Sequence, residues 1–245
     1  MKKLLLGAAI ALSLIGNAAA QDRNYQHRRM FVVKRDRIGD FEAAIKDLNA
    51  IYKKAGVVAP TLVVQSLTGE DNFLTIRYYT KLSEAMADRR TPFKNNHEGE
   101  YIAANIRLAS TLAERQTVVS LREPDLSVTG ATEVPAYFRV VRTVVKPDKV
   151  EAYKALLKEY IDAGVKPGGV KSYTVLRTLM GREATEIATG TGVDSLAQLD
   201  DPPAIKAMGR AKYDEWLKRR AAMVESTTVD LYRYRADLST WVTPK

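Results

Sequence analysis

Apolar residues recur at helical spacing directly after a short apolar run near the start of the chain. The run at 29–35 (RMFVVKR) predicts a β-strand, and the stripe from 41 to 55 predicts an amphipathic helix. The helix is expected to end at Gly56, because glycine readily takes the left-handed conformation of a C-terminal cap. The stripe comprises Phe41, Ala44, Ile45, Leu48, Ile51, Tyr52 and Ala55. This first segment is therefore a strand, a turn and a helix that must bury its apolar side on a sheet.

The same segment recurs farther along the chain. Residues 32–57 and 140–165 align without a gap at an offset of 108, and ten positions are identical. The later parts of the two copies align at an offset of 112, with Tyr101 matching Tyr213. The change of offset predicts four extra residues at 166–169 (KPGG), in a surface connection that can absorb them at small entropic cost. We interpret the chain as a tandem duplication.

Both copies predict the same order of elements, in which two β-rich runs follow the first helix and further helical pieces precede a last strand. In the first copy the predicted strands are 29–35, 61–67, 73–79 and 117–121, and the predicted helices are 41–55, a short piece from 83, and 98–114. In the second copy the predicted strands are 137–144, 171–179, 184–189 and 228–235, and the predicted helices are 150–163, 195–200 and 203–225. This βαββαβ order is the ferredoxin-like arrangement.

A ferredoxin-like sheet carries its helices on one face and leaves the other face bare. Because an apolar sheet face of this size is not stable in water, we expect an α+β fold in which two ferredoxin-like repeats, 21–130 and 131–245, pack sheet to sheet as an intrachain α/β barrel. On element order, tandem fusion and apolar pattern, the chain resembles the dimeric α/β barrel superfamily, in particular antibiotic-biosynthesis-monooxygenase-like proteins. That superfamily includes cofactor-free monooxygenases, haem-binding and haem-degrading enzymes, isomerases and proteins without known activity, and none of their functional motifs matches residue by residue.

The N-terminal residues have the pattern of a secretory signal peptide. Lys2 and Lys3 precede an apolar run that is too short to span a bilayer, and a small-residue cleavage pattern ends at Ala20. We therefore expect a signal peptide at 1–20, no stable membrane insertion after cleavage, and a periplasmic or secreted product. The chain has no cysteine, so its stability must come from a core. Its net charge of +9 is spread along the chain and predicts no nucleic-acid partner.

Strand alternation suggests a polar cluster inside the barrel. If the more uniformly apolar face of the first strand in each copy packs on the helices, Arg139 points into the barrel. The same test directs Asp230, Tyr232 and Tyr234 of the last strand inward. These four residues are candidates for binding a ligand. The competing interpretation, which we favour, is a structural ion pair between Arg139 and Asp230 with aromatic filler.

His97 is a weaker catalytic candidate. Local composition explains it without chemistry, because it lies among Asn and Glu residues at a predicted helix start, where capping and the helix dipole favour such residues. No second histidine lies at a metal-ligand spacing, and no phosphate-binding loop or catalytic triad is evident, so we expect neither a metal nor a cofactor.

Two functions stay open. One is an exported protein that binds a small apolar or amphipathic molecule in or beside the barrel, as a monomer with pseudo-two-fold symmetry or as a homodimer. The other is a cofactor-free monooxygenase-like enzyme that acts on an aromatic substrate. A closed Arg–Asp pair without a free base would favour binding, whereas an open cavity with His97 or a tyrosine directed into it would favour catalysis.

Overall fold

The computed structural model describes residues 24–57, 60–68, 72–94, 96–131 and 133–241. The predicted signal peptide, 1–20, and its cleavage after Ala20 lie outside these residues. Among the described residues, no helix combines the length and the apolar character that are needed to cross a bilayer.

Eight antiparallel strands close into a barrel. Their order around the barrel is β4-β1-β3-β2-β9-β6-β8-β7, and β7 pairs back with β4, while the short β5 adds to the outer edge of β7. Closure leaves each of the eight strands with two partners, so no long edge is exposed. The strands are β1 Tyr25–Val33, β2 Leu62–Ser66, β3 Asn72–Tyr79, β4 Leu112–Arg122, β5 Val128–Thr129, β6 Tyr137–Val145, β7 Ser172–Met180, β8 Glu186–Val193 and β9 Val224–Tyr234.

The helices lie outside the barrel and bury their apolar sides on it. They are α1 Ile38–Lys54, α2 Leu82–Met86, α3 Glu98–Ser110, α4 Val150–Tyr160, α5 Ala197–Asp200, α6 Pro203–Met208 and α7 Arg210–Met223, and a one-turn π-helix, Ile161–Val165, continues α4. Short 3-10 turns cover Arg35–Arg37, Thr91–Phe93, Pro124–Leu126, Pro147–Lys149 and Ala236–Leu238. The predicted apolar stripe of α1 is confirmed, since Phe41, Ala44, Ile45, Leu48, Ile51 and Tyr52 are all buried.

Two predicted helices differ from the observed ones, one by ending early and the other by being divided in two. The helix predicted to reach 114 stops at Ser110, because the following residues extend β4, which pairs with β1 as far as Leu112. The helix predicted over 203–225 is two helices that meet at Gly209, whose φ of 85° no helix can contain. In both places the local helical pattern is overridden, in one case by strand pairing and in the other by the turn at glycine.

The segments that follow β4 and β9 cross between the two halves of the chain. Leu126 packs into the core of the second half, and Leu238 packs into the core of the first half. Ser127 Oγ accepts a hydrogen bond from the amide of Val175 at 3.0 Å, and Ser239 Oγ accepts one from the amide of Val63 at 2.9 Å. Both segments have the sequence Asp-Leu-Ser, at 125–127 and at 237–239. Each half therefore completes the other.

The predicted offset of 108 for the first part of the two copies is wrong. The amide of Lys34 donates to the carbonyl of Thr111 at 3.0 Å, and the amide of Lys146 donates to the carbonyl of Met223 at 2.9 Å. Both donors and both acceptors lie 112 residues apart, so the offset is already 112 directly after β1 and the predicted four-residue insertion at 166–169 is wrong. A slip of four residues is close to one helical turn and even along a strand, so it keeps each side chain on its face.

The segment formed by α4 and its π-helix reaches the matching C-terminal hydrogen bond one residue later than α1 does. The carbonyls of Tyr52 and Val165 each accept a hydrogen bond from the amide five positions later, at 2.9 and 3.1 Å. Gly56 and Gly169 follow at matching places, with φ of 65° and 69°. The C-terminal cap in the second half is therefore Gly169, and not Gly164, the residue that the offset of 108 aligned with Gly56. The π-helix accounts for the added residue, since its i→i+5 hydrogen bonds enclose one more residue than those of an α-helix.

Candidate functional site

The predicted polar cluster is present inside the barrel with a different arginine. Arg142 Nη2 donates to Asp230 Oδ2 at 2.6 Å, and the two side chains are 17% and 19% exposed. Tyr232 is buried, and Tyr234 packs in the same apolar cluster. Burial, followed by the charge of Asp230, raises the pKa of Tyr232 to about 12. The ion pair that the sequence predicted for Arg139 is thus made by Arg142.

Arg139 points to the outer face of the barrel, which contradicts the sequence prediction. On β6 its side alternates with Arg142 and is shared by Thr143 and Val145, which are buried beneath the helices of the second half. The prediction failed because it took the more apolar side of each first strand for the helix side. The barrel interior has an apolar cluster of its own, which includes Phe138 and Val140.

Polar groups fill another part of the barrel interior. Arg28 Nη2 donates to Ser120 Oγ at 2.9 Å, and the carboxylate of Glu186 accepts from Thr178 at 3.2 Å and from Arg182 at 3.4 Å. Desolvation lowers the pKa of Arg28 to about 10. Arg28 Nε is buried without a hydrogen-bond partner among the described residues, whereas Glu186, Thr178 and Arg182 bond to one another. We interpret these side chains as structural filling of the barrel.

His97 immediately precedes α3 and borders neither of the cavities described below. Its Nδ1 lies 3.7 Å from Glu100 Oε1, beyond hydrogen-bond distance. The side chain is 19% exposed. Its catalytic role stays a prediction without geometric support.

A cavity of about 630 Å³ lies between the helices and the outer face of the second half. That volume suits a small organic molecule. The tyrosine pocket, as we call it, is defined by Arg139, Tyr160, Tyr173 and Tyr213. Val165, Thr191 and Ile205 also line it. Asp230, Tyr232 and Tyr234 do not border this cavity, so of the predicted ligand-binding residues only Arg139 does.

Three tyrosines form the aromatic wall of the tyrosine pocket. The ring of Tyr160 lies 6.2 Å from that of Tyr173 and 6.1 Å from that of Tyr213, between centroids. Burial and then Tyr213 raise the pKa of Tyr160 to about 12, against a smaller opposing effect of Arg139. Burial raises the pKa of Tyr173 still further. At neutral pH these hydroxyls are therefore protonated, able to donate a hydrogen bond and unable to act as ready bases.

Trp216 supports this wall from behind. Its ring is stacked 5.9 Å from that of Tyr213 and lies 5.0 Å from that of Tyr160. Its Nε1 donates to the carbonyl of Leu156 at 2.8 Å, and the side chain is buried. Trp216 thus fixes the positions of two pocket tyrosines.

Arg139 supplies the positive charge of the tyrosine pocket. It is exposed on the pocket side of β6, and among the described residues no carboxylate forms an ion pair with it. Arg139 lines the same cavity as Tyr160 and Tyr173, and its charge slightly opposes the rise in pKa that burial causes in both tyrosines. A free guanidinium beside phenol groups can hold an oxyanion or a carboxylate.

The corresponding space in the first half is filled by side chains. The guanidinium carbon of Arg77 lies 4.7 Å from the centroid of the Tyr52 ring, and Arg77 Nε donates to Thr61 Oγ1 at 2.7 Å. Phe93 is 1% exposed and stacks on Tyr101 with centroids 4.3 Å apart. Phe93 also meets the edge of Tyr52 at 5.0 Å.

Smaller residues hold the matching positions in the second half. Arg139 pairs across the strands with Thr191 where His27 pairs with Arg77, so Thr191 takes the place of Arg77. The three replacements are Thr191 for Arg77, Val165 for Tyr52 and Ile205 for Phe93. All three smaller residues line the cavity. Loss of side-chain volume at three neighbouring positions therefore opens the tyrosine pocket.

Close backbone contact holds one wall of the tyrosine pocket in place. A Cβ atom on Gly164 would lie 2.6 Å from the carbonyl oxygen of Ala204, and one on Gly168 would lie 2.6 Å from that of Pro203. Only glycine allows this approach. The π-helix and the turn after it consequently pack directly on α6, which carries Ile205 into the pocket.

Tyr160 and Tyr173 were not among the site residues predicted from the sequence. Tyr160 was aligned with Tyr52, one helical turn from its true counterpart, Leu48. The misalignment concealed the one sequence feature that points to the site. This feature is a tyrosine, Tyr160, at a position where the first half has the aliphatic residue Leu48.

Metal ions and haem iron require particular side chains as ligands. Within the described parts of the chain, no three His, Cys, Asp or Glu side chains come together as a metal site would require. The lining of the tyrosine pocket includes neither histidine nor cysteine, so it offers no imidazole or thiolate to a haem iron.

Comparison with solved structures identifies the fold. The chain shares its barrel fold with solved structures described as putative monooxygenases, an anthrone oxidase-like protein and chlorite dismutase. It resembles a putative monooxygenase from Fusobacterium nucleatum subsp. nucleatum ATCC 25586 at a TM-score of 0.61 and 12% identity, over 86% of this chain and 91% of that one.

Two further structures are similar. An anthrone oxidase-like protein matches at a TM-score of 0.59 and 12% identity, over 87% of this chain and 92% of that one. Chlorite dismutase from Candidatus Nitrospira defluvii in complex with imidazole matches at 0.56 and 13% identity, over 87% and 91%. No protein-family model and no curated protein sequence matches the chain. At these identities the likeness concerns the fold alone.

Proposed function

We propose that this protein binds a small aromatic molecule that carries a phenolic or carboxylic oxygen, in the tyrosine pocket beside the barrel. The observation that carries the proposal is the cavity opened by Val165, Thr191 and Ile205, where the first half is filled by larger side chains. A cavity of about 630 Å³ matches the size of such a ligand.

The lining defines how the ligand would be held. An aromatic ring of the ligand can pack against Tyr160, Tyr173 and Tyr213, because offset and edge-on pairs of aromatic rings are favourable. The ligand's acidic oxygen meets the guanidinium of Arg139, which lowers the pKa of a bound phenol and holds a carboxylate directly. The protonated tyrosine hydroxyls add hydrogen-bond donors.

We further propose that the barrel arose as a tandem of two ferredoxin-like repeats. Support comes from the strand orders β4-β1-β3-β2 and β9-β6-β8-β7, which match position for position. The reciprocal hydrogen bonds made by Ser127 and Ser239 add to it. Such a chain would be a monomer with pseudo-two-fold symmetry, or a homodimer of such barrels.

Cofactor-free oxygenation of the bound aromatic molecule is the second candidate function. The likeness to monooxygenase-like and anthrone oxidase-like structures favours it, as does an open cavity with tyrosines directed into it. Anthrone is a suitable probe, because its phenolic tautomer would place an oxygen at Arg139 as an enolate. Anthrone and O₂ would give anthraquinone and water, with O₂ as the only oxidant.

Isothermal titration with 2-naphthol tests the binding proposal. The parent protein should bind one equivalent, and Arg139→Met should weaken binding about tenfold through loss of a charge-assisted hydrogen bond. Thr191→Arg should abolish binding by restoring the side chain that occupies this space in the first half. Parent-like binding by Thr191→Arg would place the ligand elsewhere and overturn the proposal.

Oxygen uptake with anthrone separates binding from catalysis. Enzyme-dependent consumption of one O₂ per anthraquinone formed, lost in Thr191→Arg, would support oxygenation. Anthrone that binds without accelerated uptake leaves binding as the function and eliminates the second candidate.

Export is a separate part of the proposal. It rests on the pattern of residues 1–20 and predicts a mature chain that begins at Gln21. Intact mass of the protein recovered from the cell envelope should show that start. Full-length protein retained in the membrane pellet would contradict it.

A further inference from the structure

A second cavity lies on the outer face of the first half, between α2, α3 and strands β1 and β4. Its volume is about 680 Å³. The arginine pocket, as we call it, is defined by His27, Arg29, Arg89 and Arg115. It is more open than the tyrosine pocket and lies in the other half of the chain, so it is a separate site.

The arginine pocket concentrates positive charge without a counter-ion. Among the described residues, no carboxylate forms an ion pair with Arg29, Arg89 or Arg115. Arg77, which lies over the ring of Tyr52, has only neutral partners among the residues that the structure describes. One carboxylate, that of Asp88, does line the pocket, but it is held by Arg90 at 3.4 Å.

The two inner arginines of the pocket are largely withdrawn from water. Arg29 Nε is buried and has no hydrogen-bond partner among the described residues. Burial, followed by the charge of Arg89, lowers the pKa of Arg29 to about 10. The pKa of Arg89 is lowered by burial and then by Arg77. Both guanidiniums remain charged at neutral pH, so an anion between them would relieve repulsion and supply the missing acceptor.

His27 contacts Arg89 without neutralising the positive charge of the pocket. Its Nδ1 lies 2.9 Å from Arg89 Nη2, which requires a neutral ring that accepts the hydrogen bond. Burial and the neighbouring arginines lower the pKa of His27 to about 3. A neutral imidazole therefore orients the Arg89 guanidinium without adding a charge of its own.

Apolar side chains surround the cationic floor of the arginine pocket. The large hydrophobic residues exposed at its rim are Met86, Ile102, Ile106 and Met180, at 53%, 38%, 64% and 37%. Four such residues at the mouth of one cavity form an apolar patch that is unusual for a surface left in water. A ligand with a charged head and an apolar body would meet both parts.

The second half lacks this arrangement. At the matching positions of the chain, Val141 replaces Arg29, Asp201 replaces Arg89 and Thr227 replaces Arg115. The apolar rim also changes, since Asp214 replaces Ile102 and Lys218 replaces Ile106. The charge and the rim are therefore features of the first half and not consequences of the fold.

We propose that the arginine pocket binds a small amphipathic anion, with a carboxylate head between Arg29 and Arg89 and an apolar body on Met86, Ile102, Ile106 and Met180. The site is independent of the tyrosine pocket and of the function proposed for it. Binding draws on charge-assisted hydrogen bonds at the head and on removal of apolar surface from water at the rim.

Isothermal titration of the protein with decanoate, acetate and decyltrimethylammonium tests the proposal. Decanoate should bind, acetate should bind at least tenfold more weakly, and decyltrimethylammonium should not bind, because its head carries the wrong charge. Raising the salt concentration should weaken decanoate binding. Equal binding of decanoate and decyltrimethylammonium would show a purely apolar patch and overturn the proposal.

Substitutions locate the head and the body of the anion. Arg29→Met and Arg89→Met should each weaken decanoate binding about tenfold or more, since each removes a charge-assisted contact. The matched control is Arg107→Met, which removes the same charge from α3 outside the pocket, where Arg107 pairs with Asp47 at 3.1 Å. Unchanged binding in Arg29→Met and Arg89→Met would overturn the site.

The apolar rim has one competing occupant, a second copy of this chain. Ile106→Ser should weaken decanoate but leave acetate unchanged, and the parent should sediment as the same species with and without decanoate. If decanoate does not bind and Ile106→Ser converts a dimer to a monomer, the rim is a self-association surface and the proposal is wrong. Arg139→Met should leave decanoate binding unchanged, so failure here and failure of the tyrosine pocket are distinguishable.

Discussion

The two halves of the barrel share one backbone plan but differ in what lies between their helices and their strands. In the first half, Arg77, Tyr52 and Phe93 fill the space that Thr191, Val165 and Ile205 leave open in the second. The first half instead carries its cavity farther toward β4 and lines it with arginines. The barrel constrains the paired strands, while side-chain volume on the helix side decides where a cavity opens.

Charge separates the halves as clearly as volume. His27 and Arg139 hold the same place, each on the outer face of the first strand of its half. His27 is buried and crowded by arginines, whereas Arg139 is exposed beside phenol groups. One site is thus suited to an anionic head group and the other to an aromatic ring with an acidic oxygen.

Core packing should give the largest difference between the halves. Phe93→Ala should lower the free energy of unfolding by about 3–5 kcal/mol, because Phe93 is buried and stacked on Tyr101. Ile205→Ala should cost less than about 1.5 kcal/mol, since Ile205 already borders a cavity and loses fewer contacts. Urea denaturation of both variants measures the two values. Equal losses would show that the second-half space is closed in solution.

The barrel interior offers the next largest contrast. Arg142→Met or Asp230→Leu alone should cost about 3 kcal/mol, because each leaves a poorly solvated charge, and the double variant should recover most of that loss. Arg139→Met should change the free energy of unfolding by less than about 0.5 kcal/mol, since Arg139 is exposed and unpaired. Thermal melts of the four variants decide this. A large loss of stability in Arg139→Met would support the ion pair between Arg139 and Asp230 that the sequence predicted.

His27 should give the first half a pH dependence that Arg139 does not give the second. The pKa of His27 is about 3 when folded and 6.5 when unfolded, so between these values only the unfolded state binds the proton. Stability should therefore fall as the pH drops through this window, by at most about 1.4 kcal/mol per pH unit. His27→Gln keeps an acceptor for Arg89 and removes the titration.

The measurement for His27 is urea unfolding between pH 6.5 and 4.5, above the range where paired carboxylates protonate. The groups that face His27 are Arg89, Arg29 and Arg77, all cationic throughout this range. The slope of the parent should be steeper than that of His27→Gln. Parallel slopes would show that the ring is charged or free in the folded protein.

Much of the fold was predictable from local patterns. The stripe of α1, the hairpin of β2 and β3, and the barrel with outer helices follow from periodicity and from the need to cover a bare sheet. The register between the halves was not, because a slip of four residues preserves the face of every side chain. Hydrogen bonds between distant residues, such as Lys34 with Thr111, were needed to fix it.

The candidate sites were less accessible to sequence reasoning. Arg139 was singled out, but its face was assigned wrongly because both faces of β6 are part of a core. The tyrosine pocket depends on Val165, Thr191 and Ile205, which are ordinary residues until compared with their true counterparts. The arginine pocket joins residues from one strand, the turn after a short helix and another strand, and no short motif contains them.

The aromatic-binding cavity proposed for the second half occupies a space that larger side chains fill in the first half. The most direct measurement is the stoichiometry of 2-naphthol binding in the parent and in the double variant Val165→Tyr/Ile205→Phe, which introduces the first-half residues. The parent should bind one equivalent and the double variant none, and the melting temperature of the double variant should be no lower than that of the parent. One equivalent bound by a folded double variant would contradict it.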